Sequence, residues 1–284
     1  MRKPETIEAL SLYFTKHPDV LMAFVFGSRA KNTARPTSDW DVAVYFKPMQ
    51  YAELGTAISY PEEQKIWLDF QNTVEAEVDM LVLNRARPSL VFSVLNSGTP
   101  LVIKDRKLYM RLLLKTHYEA VDFWRFVRDF WHIRERSRSL SAEDASLLIE
   151  HLTFLENEFA DFKKFQDMNW QEYQEDRDRR RNIERWIENL IMTSLDIAKI
   201  ILASEKKEVP QTYAETLRTF ASLYLNPALA DRFAMFAELR NIIAHEYLDI
   251  RWARITNFLK EARELLPLFI VKNKEFIEDS KKVA

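Results

Sequence analysis

Segments with the pattern of β-strands are confined to the first 105 residues of the chain, and helical periodicity governs everything after them. Three short apolar runs, at 21–26, 38–46 and 77–84, carry apolar residues at odd and even positions alike, as strands of a sheet covered on both faces do. A fourth run, at 100–105, has the character of an edge strand. We therefore predict an α+β domain followed by an all-α bundle.

Residues with known terminal preferences mark where several helices begin and end. Pro88 in the first turn and Gly98 just beyond the last turn bracket a short helix. Ser141 and Asp144 form a capping box that starts a long helix in the second half. The resulting plan has three parts: the α+β domain at 1–105, a long connecting helix with a hinge at 106–140, and the all-α domain at 141–284.

Composition removes several functional classes. The 284 residues include no Cys, which excludes a disulfide scaffold, a thiolate zinc site and a cysteine nucleophile. No apolar run approaches membrane-spanning length, and the first residues lack the apolar core of a signal peptide, so we expect a cytoplasmic protein with no membrane partner. A net charge of −2 means that any binding of nucleic acid needs a local basic patch.

The first candidate site combines a Gly-Ser pair with carboxylates. A predicted strand leads into Gly27 and Ser28, where glycine lets a phosphate approach the backbone closely and serine adds a hydroxyl donor. Ten residues separate Ser28 from Asp39, and Asp41 follows two positions later, so on a strand both carboxylates project from one face. Adjacent carboxylates repel unless a cation lies between them, and two Mg²⁺ ions roughly 4 Å apart are a common arrangement for displacement at phosphorus.

A third acid completes this candidate site. Asp79 lies among apolar residues in the middle of the predicted third strand, where a carboxylate is costly unless it is paired or bound to metal. If that strand lies beside the Asp39 strand, Asp79 can ligate one metal ion or accept a proton from an attacking hydroxyl. Glu75 and Glu77 remain alternatives for the third acid.

The sequence of strand, Gly-Ser, Asp-x-Asp and a later mid-strand acid resembles the minimal nucleotidyltransferase family of the polymerase-β-like superfamily. The resemblance covers roughly the first 105 residues and implies a small mixed sheet flanked by helices. It also implies binding of ATP with Mg²⁺ and transfer of AMP to a hydroxyl, with release of pyrophosphate. By this resemblance Gly27 and Ser28 hold the triphosphate, Asp39 and Asp41 hold metal, and Asp79 activates the acceptor.

A second candidate site lies near the C-terminus, at the predicted end of a helix. Arg240 and His245 are five positions apart, a rotation of about 140° on a helix, whereas Asn241 and His245 share a face. Two copies of this helix around a symmetry axis could pool two Arg and two His. Histidine can move protons at a ribose 2′-hydroxyl, and guanidinium can stabilise the charge that develops at phosphorus. Asp249 is predicted to cap the next helix, which places Tyr247 at an exposed helix end.

The string from Arg240 through His245 to Tyr247 resembles the toxin branch of the HEPN family, which is paired with minimal nucleotidyltransferases in toxin–antitoxin systems. The resemblance extends over about 141–275. It implies a metal-independent ribonuclease that acts as a homodimer on RNA, with tRNA a reported target class. It also implies that the nucleotidyltransferase silences the ribonuclease by adding AMP to Tyr247.

Because both motifs lie on one polypeptide, we predict a fused toxin–antitoxin protein that adenylylates its own Tyr247. The added phosphate and its bulk, two residues from His245, oppose RNA binding. One alternative is an adenylyltransferase for a small molecule, as in aminoglycoside nucleotidyltransferases, with the helical half as its substrate-binding module. The other is a non-catalytic RNA-binding or dimerisation module.

Three further features have open interpretations. Arg29 and Arg35 either help to neutralise phosphates or are solvated surface charges. The arginine-rich run at 177–185 is either an RNA-backbone patch or an ordinary solvated helix start. The aromatic residues at 121–133 are expected to pack in a core or a domain interface rather than to stack on bases.

Overall fold

The computed structural model describes residues 3–30, 33, 38–48, 54, 59–74, 76–136, 138–245 and 248–283. The chain divides into two compact units, Met1–Asp122 and Phe123–Ala284. Strands and helices make up the first unit, whereas the described part of the second unit is helical. The predicted class, an α+β domain followed by an all-α bundle, is confirmed.

Helices and strands follow one another closely in the first unit. In chain order they are α1 (Lys3–Lys16), β1 (Val20–Val25), α2 (Gly27–Ala30), β2 (Trp40–Phe46), α3 (Glu63–Val74), β3 (Val78–Val82), α4 (Pro88–Ser97) and β4 (Thr99–Ile103). Pro88 occupies the first turn of α4 and Gly98 follows its last residue, as predicted. The long helix α5 (Arg106–Arg136) comes next, and the division between the units falls within it.

The four strands form one mixed sheet in the order β3-β2-β1-β4. Strand β1 is antiparallel to β2 and to β4, which makes β4 an edge strand as expected. Strands β2 and β3 are parallel, and α3 lies between them in the chain as the crossover that a parallel pair requires. Strand β3 is therefore the other edge of the sheet.

Both faces of the sheet are covered by helices. Val42, Val44 and Phe46 of β2 pack with apolar residues of α1 and α3. Ala43 and Tyr45, which alternate with them, pack with residues of α4 and the start of α5 on the opposite face. Consecutive positions of the central strands are apolar because each face of the sheet packs against its own hydrophobic layer, as the sequence indicated.

The second unit is a bundle with one large hydrophobic core. After the last part of α5 its helices are α6 (Ala142–Ala160), α7 (Phe162–Phe165), α8 (Trp170–Glu175), α9 (Arg177–Ser204), α10 (Tyr213–Tyr224), α11 (Ala230–His245) and α12 (Leu248–Val283). Ser141 caps α6 as predicted, since its side chain accepts the Asp144 N–H at 3.1 Å. Among the described residues, no helix is both long enough and apolar enough to cross a bilayer.

A buried asparagine continues the pairing with β2 beyond the last residue of β3. Asn84 follows β3 in a short 3-10 turn and is 1% exposed. Its Oδ1 accepts the Phe46 N–H at 2.9 Å, and its Nδ2 donates to the Phe46 carbonyl at 3.0 Å. The amide side chain thus takes the place of the next residue of β3 and fixes how β3 lies against β2.

Asn84→Ala is expected to destabilise the first unit by about 2–4 kcal/mol, because it leaves the buried N–H and carbonyl of Phe46 unpaired. Urea unfolding of the full chain measures this change. Asn96→Ala, at an exposed position of α4, is the matched control and should cost less than about 0.5 kcal/mol. Equal unfolding midpoints for the two variants would contradict the structural role given to Asn84.

Candidate functional site

Gly27 brings the end of β1 against the start of β2. The Phe26 N–H donates to the Asp41 carbonyl at 2.9 Å, so the chain turns into α2 beside Asp41. Gly27 has a φ of +67°, a left-handed conformation that favours glycine. A Cβ at this position would lie 2.0 Å from Asp41 Oδ2. Glycine is therefore required at position 27 both by the backbone angle and by the approach of the carboxylate.

The pairing of β2 with β3 gathers the acidic residues at one end of the sheet. Asp41 and Asp79 are direct partners in the parallel register, so their side chains lie side by side on one face. This is the face of Ala43 and Tyr45, and on it Asp41 is partly buried and Asp79 is exposed. Asp39 immediately precedes β2 and is exposed.

Two sequence-based arguments about these acids need correction. Asp79 is exposed rather than buried among apolar neighbours, because β3 is an edge strand. The energetic cost of burying a carboxylate therefore gives no argument that Asp79 is paired or bound to metal. Asp39 lies one residue before the strand rather than within it. Of the two alternatives for the third acid, Glu77 is exposed and precedes β3, and Glu75 lies outside the described residues.

Negative charge accumulates around Asp41. Partial burial raises the pKa of its carboxyl, the neighbouring Asp79 and Asp39 raise it further, and Arg29 opposes the shift. Carboxylate oxygens are the ligands that Mg²⁺ prefers, so the chemistry of this donor set fits a divalent cation. As the side chains stand, no group of three carboxylates or imidazoles among the described residues is arranged to hold a metal ion.

Arg29, in the short helix that follows Gly27 and Ser28, forms hydrogen bonds to the segment that leads into β2. Its Nε donates to the Asp39 carbonyl at 3.0 Å, and its Nη2 donates to the Ser38 carbonyl. The guanidinium carbon lies 4.6 Å from the centroid of the Trp40 ring. In this structure Arg29 therefore organises the entry to β2, a role that the sequence did not indicate, and Arg35 lies outside the described residues.

The second set of candidate residues lies at the end of α11. Arg240 is partly buried, and its guanidinium carbon lies 5.0 Å from the centroid of the Tyr213 ring. His245 is the last residue of α11, which agrees with the predicted helix end, and Tyr247 falls outside the described residues. The side chains of Asn241 and His245 are also outside the described part. Asp249 does not cap the next helix, because α12 begins one residue earlier, at Leu248.

Several arginines at the start of α9 form ion pairs and hydrogen bonds within the second unit. Arg179 pairs with Glu172 at 2.6 Å, and Arg185 pairs with Glu188 at 2.7 Å. Arg180 donates to two backbone carbonyls of α8. These contacts favour the interpretation of a solvated helix start over that of an RNA-backbone patch.

The aromatic segment of α5 divides between core and surface. Phe126 and Phe130 are buried, as expected. Trp124 and Trp131 are 50% and 45% exposed, so the expectation of packing does not hold for them.

Comparison with known proteins assigns both parts of the chain. Residues 8–107 match the family model described as polymerase beta, nucleotidyltransferase, and residues 155–272 match the model described as ribonuclease HepT-like. The chain therefore joins a nucleotidyltransferase domain of the polymerase β type to a HepT-like domain of the HEPN class. Both domain resemblances seen in the sequence are confirmed. No curated protein matches the chain.

Two solved structures are similar at low identity. A crystal structure of a toxin-antitoxin with AMP-PNP is 19% identical, and the match covers 43% of this chain and 92% of that chain with a TM-score of 0.33. A crystal structure of a mutant of the toxin-antitoxin MntA-HpeT is 16% identical, with coverage of 42% and 91% and a TM-score of 0.32. Superpositions this weak support no inference about the present chain.

Asp41→Asn is expected to raise the melting temperature of the first unit by a few degrees near pH 7 in metal-free buffer. The folded state raises the pKa of Asp41, so its charged form opposes folding above that pKa and this cost disappears below the unfolded value. The gain should therefore shrink as the pH falls toward about 4. Calorimetry with a chelator measures it, and Glu8→Gln at an exposed position of α1 is the control. A lower melting temperature for Asp41→Asn at pH 7 would contradict this account.

Proposed function

We propose that the protein is a self-regulating toxin–antitoxin fusion. Its nucleotidyltransferase domain transfers AMP from Mg-ATP to Tyr247, and this modification silences a ribonuclease in its HEPN domain. The observation that carries the proposal is the presence of both sets of residues on one chain. Asp41 and Asp79 are direct partners in the register of β2 and β3, Asp39 immediately precedes β2, and the HepT-like match contains Arg240, His245 and Tyr247.

In the nucleotidyl-transfer reaction the chain supplies positioning and a base. Gly27 and Ser28 would hold the triphosphate, and Asp39, Asp41 and Asp79 would hold the divalent cations. When bound, Mg²⁺ neutralises phosphate charge and aligns the α-phosphate for in-line attack. The Tyr247 oxygen forms a bond to the α-phosphorus, the bond to pyrophosphate breaks, and Asp79 accepts the phenolic proton.

In the ribonuclease reaction the 2′-hydroxyl of RNA attacks the adjacent phosphorus and the 5′-oxygen leaves. His245 moves the protons, and Arg240 stabilises the charge that develops on the phosphate oxygens. The angular offset of about 140° between these two residues on one helix is the reason to propose a homodimer, in which two copies of the helix pool two Arg240 and two His245 side chains.

Modification of Tyr247 provides the link between the two reactions. The AMP group adds a negative phosphate and a bulky nucleoside two residues from His245. Both effects oppose the approach of an RNA phosphate to that site, by repulsion and by steric exclusion. In this proposal ATP is the substrate of the first domain, and RNA is the partner of the second.

The genetic test removes the proposed antitoxin activity and then the proposed toxin activity. The double variant Asp39→Ala/Asp41→Ala is expected to arrest growth of the expression host, whereas the wild-type protein is tolerated. Addition of His245→Ala should restore growth and lower RNA cleavage by the purified protein about 100-fold or more. Growth is scored by colony count, and cleavage by loss of intact RNA.

His151→Ala in the same double variant is the matched control, because His151 lies in α6 of the same unit and is not part of the motif at 240–247, so its loss should leave toxicity intact. If the triple variant with His245→Ala stayed as toxic as the double variant, the HEPN site would not be the source of toxicity. A double variant that neither slows growth nor cleaves RNA would count against the ribonuclease.

A further inference from the structure

Arg240 rests on the face of an aromatic ring from another helix. Tyr213 is the first residue of α10, and Arg240 lies five residues before the end of α11. Their separation, 5.0 Å from guanidinium carbon to ring centroid, is within the range in which a cation is attracted to a ring face. Both residues belong to the second unit.

The Tyr213 ring is itself held in place by two phenylalanines. It meets Phe123 edge to face, with centroids 5.2 Å apart and planes at 86°, and Phe126 in the same way, at 5.1 Å and 85°. The backbone at the start of α10 is fixed by Thr212, whose hydroxyl accepts the Glu215 N–H at 3.0 Å. The ring therefore forms a platform, defined here as Tyr213 with Phe123 and Phe126, that has little freedom to move.

A platform of this kind lowers the entropic cost of binding a ligand through an arginine side chain. The long side chain loses conformational entropy when it binds a ligand, and this loss weakens binding. Attraction to an aromatic ring brings no acceptor oxygen to the guanidinium, whereas a phosphate is bound by the N–H donors of the guanidinium. A ring beneath Arg240 can thus fix the guanidinium without competing for a phosphate.

We propose that Tyr213 is a positioning residue for RNA cleavage, which holds the Arg240 guanidinium where it meets a phosphate of the RNA. This role rests on the proposed ribonuclease function. Tyr213 acts through its ring and through Arg240, and it does not itself contact the reacting atoms.

The first test measures RNA cleavage in the Asp39→Ala/Asp41→Ala protein, which cannot modify Tyr247. Tyr213→Leu is expected to lower kcat about tenfold, because the cation–ring contact is lost. Tyr213→Phe should stay within about twofold of its parent, since the ring remains. Tyr224→Leu is the matched control: it lies at the other end of α10, is partly buried and packs against Phe220 and Phe276. It should leave kcat unchanged.

The second test asks whether Tyr213 acts through Arg240. Affinity for an uncleavable 2′-deoxy analogue of the RNA is measured for Tyr213→Leu, Arg240→Ala and the double variant. The expected result is that Tyr213→Leu weakens binding only while Arg240 is present. This comparison stays informative if Tyr213→Leu also lowers stability, because both backgrounds carry the same loss.

The outcomes separate the two proposals. A parent protein that cleaves no RNA would overturn the ribonuclease function, and the role of the platform with it. A parent that cleaves RNA while Tyr213→Leu and Tyr224→Leu are equally active would overturn the platform alone. Equal losses for Tyr213→Phe and Tyr213→Leu, or additive losses with Arg240→Ala, would also overturn it, because the effect would then not come from the ring acting on Arg240.

Discussion

The parallel pairing of β2 with β3 is the interaction that creates the acidic site. It sets Asp41 directly opposite Asp79, and the crossover through α3 is what allows two strands close in the chain to run in the same direction. Partial burial raises the pKa of the Asp41 carboxyl most, and the nearby Asp79 and Asp39 raise it further. Such a cost to stability is common at functional sites, where a strained or repulsive arrangement is retained for its chemistry. Asn84 helps to offset it by fixing the end of the same strand pair.

Each unit contains an arginine that lies over an aromatic ring of the same unit. Arg29 donates to backbone carbonyls and lies over Trp40, while Arg240 lies over Tyr213. An aromatic face or a carbonyl oxygen orients the guanidinium without neutralising its charge. The positive charge of Arg29 acts on Asp41 and opposes the rise in the pKa of its carboxyl.

Local signals in the sequence predicted much of the fold. The doubly apolar strands, Pro88 with Gly98, and the Ser141 cap each depend on neighbours in the chain, and the structure has all of them. The pattern of Gly27, Ser28 and the acids likewise depends on short spacings, which is why the domain family was visible in the sequence. The predicted start of the last helix was wrong, since α12 begins at Leu248 rather than after Asp249.

What the sequence did not predict depends on strand order and on distant contacts. The exposure of Asp79 follows from the position of β3 at the edge of the sheet, which no local pattern reveals. The contact of Arg29 with the Asp39 carbonyl needs β1 and β2 to be paired first. The contact between Tyr213 and Arg240 joins two helices, and the periodicity of either helix alone gives no sign of it.

The proposed circuit requires that the first domain adds AMP to Tyr247 of the second. The most direct test is intact-mass measurement with peptide mapping across 237–252, before and after incubation with ATP and Mg²⁺. The account predicts a gain of one or more AMP units on Tyr247, and no gain in the Asp39→Ala/Asp41→Ala protein. Absence of AMP from Tyr247 under every condition would contradict it. The nucleotidyltransferase domain would then need a substrate outside this chain.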